Sequence, residues 1–326
     1  MQFQYTDSDT HDLWYAATFA HSDICLDMLR KHTSATNQLR ADPGYIDALC
    51  ISSTPSSRTT PLYSTIYWSA WADEEECFVI DHLNTARHLV RYGADVSAAN
   101  GDGATPLHAA IARDCRVIEF LDVLLNSPHP RNLEVKFQGE TPLLMAVSNT
   151  LYNRGHEPPQ LYKEQVDMLL RHGADVHTLD NLGNSLLHHK GINAWLVRKF
   201  LVYGADINRP GEGGRTPLHQ AVYRGRLDLS PRYAHTPIDY AENVRMFLDA
   251  GCDIDLKDDR GRTAEDIALR HLDEEHPVCV LLVGARLTRE ARLAFASGSH
   301  NRSGSSLRQF DPDMMRMILD PHYFSR

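Results

Sequence analysis

Apolar residues recur along this chain in short bursts at helical spacing, and most bursts end on a glycine. Val166-Asp-Met-Leu-Leu170 runs into Gly173-Ala-Asp-Val176, and Phe247-Leu248 runs into Gly251-Cys-Asp-Ile254. Gly93-Ala-Asp-Val96, Gly204-Ala-Asp-Ile207 and a truncated Gly284-Ala285 close other bursts in the same way. Apolar positions three and four apart form one face of a helix, and the glycine behind them suits a left-handed stop. A second phrase precedes these bursts: Thr60-Pro-Leu-Tyr63, Thr105-Pro-Leu-His108, Thr141-Pro-Leu-Leu144, Ser185-Leu-Leu-His188, Thr216-Pro-Leu-His219 and Thr263-Ala-Glu-Asp266. Threonine can cap a first turn whose opening position is proline, where the missing N–H matters least. Small residues such as Ala109 and Ala110 let that helix lie close to its neighbours. The pattern predicts pairs of helices, a short one opened by Thr-Pro and an apolar one closed by glycine.

Two separated phrases in fixed order resemble the ankyrin repeat, whose signature is T-P-L-H-x-A in a unit of about 33 residues. With a degenerate opening copy, Leu13-Trp-Tyr-Ala-Ala17 and Leu26-Asp-Met-Leu29, there are seven copies from Asp9 to Arg286. The resemblance implies an all-α ankyrin-repeat solenoid of about seven helix-pair repeats, with short β-hairpin fingers at Asn100-Gly-Asp-Gly103, Asp180-Asn-Leu-Gly183 and Asp258-Asp-Arg-Gly261. Residues 9–286 are expected to form the solenoid, and 287–326 a link and C-terminal helix. His108, His188 and His219 then serve structure. The family's binding positions map onto Asp102, Ala104, Arg113, Glu140, Asn149, Asn181, Asn184, Glu212 and Arg215, which are expected to be exposed.

The spacing departs from a uniform array. Thr263 to Gly284 spans 21 positions, whereas Thr60 to Gly93 spans 33, Thr141 to Gly173 spans 32 and Thr216 to Gly251 spans 35. Repeats two, four and six therefore carry insertions of 12, 11 and 14 residues between their paired helices. The fifth copy, Ser185 to Gly204, spans only 19 and has Lys190-Gly191 where the family prefers Ala-Ala. Helix layers stack about 8–10 Å apart, so the enlarged fourth and sixth copies would stand roughly 20 Å apart with a notch between them. His188, His189, Asn193 and Trp195 would floor it; Tyr152, Asn153 and His156 on one side and Tyr223, Arg224, Tyr233 and His235 on the other would wall it. The competing expectation is that the insertions pack on one another as a closed shell. In the first insertion Trp68 and Trp71, one helical turn apart beside Asp73-Glu-Glu-Glu76, either anchor a basic partner or belong to the core of a longer helix.

Composition narrows the function further. With 42% hydrophobic and 23% charged residues the chain is that of an ordinary folded protein. A net charge of −10 repels polyphosphate and anionic surfaces, so neither nucleic acid nor membrane is expected as partner. The first residues show no basic segment or apolar run, and the expected location is cytoplasm or nucleus. Six scattered cysteines form no C-x-x-C pair and read as free thiols. No cofactor or metal is expected. His271 and His276 would lie about 140° apart on a helix. Asp253-x-Asp255-x-x-Asp258 lacks the glycine and closing glutamate of a calcium loop. Gly211-Glu-Gly-Gly214 lacks the lysine of a phosphate loop.

After Arg289 comes Ser297-Gly-Ser-His-Asn-Arg-Ser-Gly-Ser-Ser306, then Phe310-Asp-Pro-Asp-Met-Met-Arg-Met-Ile-Leu319, whose apolar residues share a helical face. That face either covers the last repeat or, being similar to the opening helix of an F-box with its proline one place late, implies a ubiquitin-ligase adaptor. The leading expectation is a non-enzymatic protein-binding scaffold or adaptor. The candidate partner-binding set is Trp68, Trp71, Asp102, Arg113, Glu140, Asn149, Tyr152, Asn181, Asn184, Glu212, Arg215 and Arg224. The alternative from another class is a small-molecule site or active site in the notch, with His189, Tyr223 or His235 as acid or base.

Overall fold

A computed structural model describes residues 7–19, 21–36, 43–47, 50–51, 58–69, 76–112, 118–128, 131–149, 160–190, 192–225 and 240–296. The chain divides into two compact units, 1–191 and 192–326. In the first unit the elements are α1 (Asp7–Thr18), α2 (Ser22–Thr36), α3 (Pro43–Ile46), β1 (Cys50–Ile51), β2 (Arg58–Thr59), α4 (Pro61–Ser69), α5 (Glu76–Arg91), α6 (Pro106–Ile111), α7 (Ile118–Leu125), α8 (Pro142–Asn149) and α9 (Gln160–Arg171). Leu186–His188 then form one turn of 3-10 helix. The second unit holds α10 (Ala194–Val202), α11 (Pro217–Gly225), α12 (Tyr240–Asp249), α13 (Ala264–His271) and α14 (Pro277–Ala296).

Each unit is built of two helix layers. In the first, α1, α4, α6 and α8 lie side by side, α2, α5, α7 and α9 form the other layer, and the helices pair across as α1 with α2, α4 with α5, α6 with α7 and α8 with α9. In the second unit α11 pairs with α12 and α13 with α14, while α10, α12 and α14 form one layer and α11 and α13 the other. The core runs between the layers: Leu107 and Ile111 of α6 and Phe120, Leu121 and Leu124 of α7 are all fully enclosed. Burying each such side chain contributes about 1.5–3 kcal/mol.

The Thr-Pro-Leu-His phrase folds as a cap. Thr105 is extended ahead of Pro106, and His108 Nδ1 accepts from the Thr105 backbone N–H at 3.2 Å and from its hydroxyl at 2.8 Å. Ser185 and His188 repeat this at 3.1 and 2.9 Å, and Thr216 and His219 at 3.2 and 2.7 Å. In the seventh copy Asp266 takes the histidine's place, accepting the Thr263 N–H at 2.9 Å. The far nitrogen reaches the next repeat: His108 Nε2–H donates to the Glu140 carbonyl, and His219 Nε2–H to that of Arg262.

These rings are therefore neutral, with the proton on Nε2, and burial holds both His108 and His219 below the ordinary value of 6.5. The unfolded chain takes up the two protons from about pH 6.5 downward while the folded chain resists them, so stability falls as the pH drops below 6.5 and levels off below the folded values. Asp47 works the other way, since burial and the Asp95 carboxylate push it up to about 6 and the folded state gains as the pH falls through that value. Urea melts at pH 8.0 and 5.5 are expected to show a lower midpoint at the acid value. The double variant His108→Gln/His219→Gln, weaker at both, should move more favourably on acidification because Asp47 is left in place; an unchanged pH response would contradict this assignment.

Glycine closes the second helices as expected at Gly93, Gly173, Gly204 and Gly251, with φ of 106°, 90°, 89° and 80°. A side chain there would strain the left-handed turn. Gly284 is the exception: α14 continues through it to Ala296. Arg286 pairs with Glu265 at 3.0 Å and with Glu290 one turn on, and Arg289 pairs with Asp255. These pairs tie the continued helix to the repeat before it. The segment 297–326, with its expected link and helix, lies outside the described residues.

Repeats four and six have their longer connections between α8 and α9 and between α11 and α12, whereas in repeat two the connection 70–75 is no longer than the 112–117 of repeat three and the extra residues lengthen α4 and α5 instead. The pinched fifth copy has its first helix reduced to the 3-10 turn, because His189 leaves helical geometry with ψ 144°. The short antiparallel pair β1–β2, with Cys50 opposite Thr59, and the turn α3 were not foreseen.

Candidate functional site

The fingers between repeats are held by their own side chains. Asn100 Oδ1 accepts the N–H groups of Asp102 and Ala104, Asp180 Oδ1 those of Leu182 and Asn184, and Asp258 Oδ1 those of Arg260 and Arg262, all at 2.8–3.0 Å. A glycine of positive φ completes each turn: Gly103, Gly183 and Gly261. Burial pushes the Asp258 carboxyl up, but donation from the Arg262 side chain and from the Arg262 and Arg260 N–H groups outweighs it and leaves the group at about 2.

This internal bonding leaves the finger tips displayed: Asp102, Asn181 and Glu212 are exposed, and Leu182 is 61% exposed. Asn181 also packs over Gly139 of the preceding finger, where a Cβ would lie 2.1 Å from its Nδ2. Asn184 is half-buried and donates to Asp180 Oδ2 at 3.0 Å. Two residues expected at the surface are buried. Ala104 is 2% exposed under its finger, and Asn149 is 6% exposed because its Nδ2 donates to the Ile111 carbonyl, closing the end of α6. Arg113, Trp71, Tyr152, Asn153, His156, Tyr233 and His235 lie outside the described residues, and with them most of both notch walls.

On α4, Trp68 is 41% exposed rather than core. Tyr67, also 41% exposed, meets it edge-on with centroids 5.7 Å apart, and Tyr63 stacks on Tyr67 at 5.9 Å. Sequence reasoning missed Tyr67, although its four-residue spacing from Tyr63, on the side away from Leu62 and Ile66, carried the signal. It missed Ser148 too. Ser148 Oγ donates to Glu140 Oε1 at 2.7 Å and meets His189 Nε2 at 3.0 Å. Since the one hydroxyl proton goes to Glu140, Ser148 accepts from His189. That polarity ties finger, helix and turn together, and it is the reverse of what an activated serine requires.

In the second unit Arg215 lies over the Tyr223 ring at 4.7 Å, so the phenol carries a guanidinium on its face, and Arg224 is half-buried. Asn193 caps α10 through the Leu196 N–H, and Lys199 Nζ sits 5.5 Å from the Trp195 ring centroid. Cys25, Cys252 and Cys279 are free thiols; burial pushes the first two up to about 12, so they are not nucleophiles at neutral pH. Among the described residues no three His, Cys, Asp or Glu side chains gather as metal ligands. No described helix is long and apolar enough to cross a membrane. A cleft of about 380 Å³ between α7 and α9 is edged by Glu119, Asp122, Glu164, Asp167 and Arg171.

Comparison with known proteins agrees with this geometry. Residues 138–181 and 213–259 match the family model for the ankyrin repeat. A putative palmitoyltransferase ZDHHC13 of Danio rerio is 27% identical over 195 residues, covering 57% of this chain and 20% of that protein. The B-cell lymphoma 3 protein homolog of Mus musculus is 31% identical over 177 residues, 52% of this chain and 34% of that one. The chain thus spans a minor part of either curated relative. Among solved structures, the ankyrin repeat domain of Bcl-3 superposes with a TM-score of 0.57 at 23% identity, over 82% of this chain and 96% of that one. The human ASB11 ankyrin repeat domain gives 0.51 at 19%, over 84% and 96%. Capped helix pairs in layers, glycine-closed second helices, and two segments matching the family model make this chain an ankyrin-repeat protein.

Proposed function

We propose that the chain is a non-enzymatic adaptor that takes a protein partner on its first helices and finger tips. The observation that supports this is the division of labour within the fingers. Asn100 and Asp180 each accept two backbone N–H groups of their own finger while its tip, Asp102 or Asn181 and Leu182, remains exposed, and Glu212 is exposed on a further finger closed by the Gly211 N–H on the Arg215 carbonyl. A surface whose side chains are displayed on a pre-bonded backbone loses little entropy on binding. Ankyrin-repeat relatives such as the B-cell lymphoma 3 homolog carry the same unit within longer chains. The free thiols Cys25, Cys252 and Cys279 fit a reducing, cytoplasmic or nuclear location.

The alternative of a small-molecule or catalytic notch has nothing in its favour among the described residues: His189 is engaged by Ser148, and Tyr223 by Arg215. The adaptor role through residues 307–326 rests on a segment outside them.

The test is a triple variant, Asp102→Lys, Leu182→Asp and Glu212→Lys, at exposed positions where the fold should not suffer. A partner retained by the parent chain is expected to bind the variant at least tenfold more weakly, with the melting temperature within a few degrees. Equal retention by the variant would overturn the assignment of the face.

A further inference from the structure

The exposed aromatics of α1 and α4 lie among acids. Asp12 and Tyr15 on α1 and Phe19 in the turn that ends it fall at spacings of three and four, and all three are exposed. Tyr15 and Phe19 are 50% and 53% exposed with ring centroids 4.6 Å apart. Helix α4 packs directly beside α1 and presents Tyr67 and Trp68 with their rings 87° apart. Burial, then Tyr67, and least of all the charge of Asp102 at the tip of the adjoining finger push the Tyr63 hydroxyl up to about 12. The positive or titratable groups placed nearby among the described residues are exposed Arg58 on β2, whose carbonyl accepts the Gly101 N–H of the same finger, and His21, whose ring lies 6.4 Å from that of Tyr15.

We propose that this aromatic face between α1 and α4 docks a basic peptide segment, with a lysine or arginine side chain seated in the corner between the Tyr67 and Trp68 rings. The proposal rests on the protein-binding reading above and names the partner's chemistry. Ring faces attract a cation through their quadrupole, and two rings at a right angle flank one from two sides. Asp12 and Asp102 bias the same surface towards positive charge. A purely apolar partner would strip water from both carboxylates without pairing them, and an acidic one would be repelled. The chain's net charge of −10 draws basic segments towards it from a distance.

The experiment is fluorescence polarisation of the full chain with an array of 12-residue peptides of matched length, one set rich in lysine and arginine, one neutral and one acidic. The basic set is expected to bind at least tenfold more tightly than the neutral set and to weaken as salt rises. Trp68→Ala should reduce that binding roughly tenfold, Trp68→Phe should restore part of it, and Asp102→Asn should weaken it less. Arg58→Glu should tighten it. Circular dichroism of each variant should match the parent, since these side chains are exposed. Basic binding that survives Trp68→Ala unchanged would overturn the site. Neutral peptides that bind best and are lost with Trp68→Ala would overturn the charge class and leave the protein-binding reading standing. If no peptide of any set bound, the basic-peptide proposal would fall and the protein-binding reading would stand or fall on the triple variant above.

Discussion

Replacing Phe120 by alanine is expected to lower the unfolding free energy by about 3–5 kcal/mol, the range for emptying a fully packed aromatic site. Phe120 has no exposed surface, and its helix α7 packs against α5, α6 and α9, so the void would open between both layers and between three consecutive repeats. A repeat buries its apolar face only against its neighbours, so a defect in the third repeat weakens coupling on both sides. Urea denaturation followed by circular dichroism should show an earlier midpoint and, if coupling fails, a broadened transition. A loss under 1 kcal/mol would mean that the third repeat is not the packed centre described here.

Asp258→Ala is expected to cost about 3 kcal/mol, in the range for breaking a buried charge pair. The carboxylate is 1% exposed at its side chain and Arg262 19%, with Nη2 2.6 Å from Oδ2 and Nε at 3.0 Å. Removing the acid leaves this guanidinium and the Arg260 and Arg262 N–H groups without their acceptor. Because the folded carboxyl sits at about 2 against an ordinary 3.8, its contribution is complete above pH 3.8 and is lost as the pH falls towards 2. Calorimetry at pH 7 and pH 3 should therefore find the parent and the variant closer together at the lower pH. A variant as stable as the parent at pH 7 would show that the finger does not need this acid.

The repeats were legible because their signals are local. The Thr-Pro-Leu-His cap closes within three residues, and even Thr263-Ala-Glu-Asp266 follows the same rule with a carboxylate in place of the ring. Gly93, Gly173, Gly204 and Gly251 end helices for reasons contained in one residue. What was not legible depended on distant partners. Gly284 fails to stop α14, whose continuation is fastened by Arg286 to Glu265, 21 residues earlier, and by Arg289 to Asp255. Asn149 occupies a position read as exposed but turns inward to a carbonyl 38 residues away. Ser148 gave no signal, since Glu140 reaches it from the finger eight residues back and His189 from the next repeat. The tryptophan pair was ambiguous between core and surface. Only the turn of α4, with Leu62 and Ile66 fully buried, decides that Trp68 faces out.

Capture of a partner on first helices and finger tips can be read out by site-specific photo-crosslinking. A benzophenone amino acid placed at Asp102, Leu182 or Glu212 samples the finger tips, and one placed at Glu119 or Asp249, each exposed on a second helix of its own unit, samples the second-helix layers. Adducts with a protein partner are expected from the finger positions and none from Glu119 or Asp249. Adducts formed from those two positions, with the finger positions silent, would contradict it.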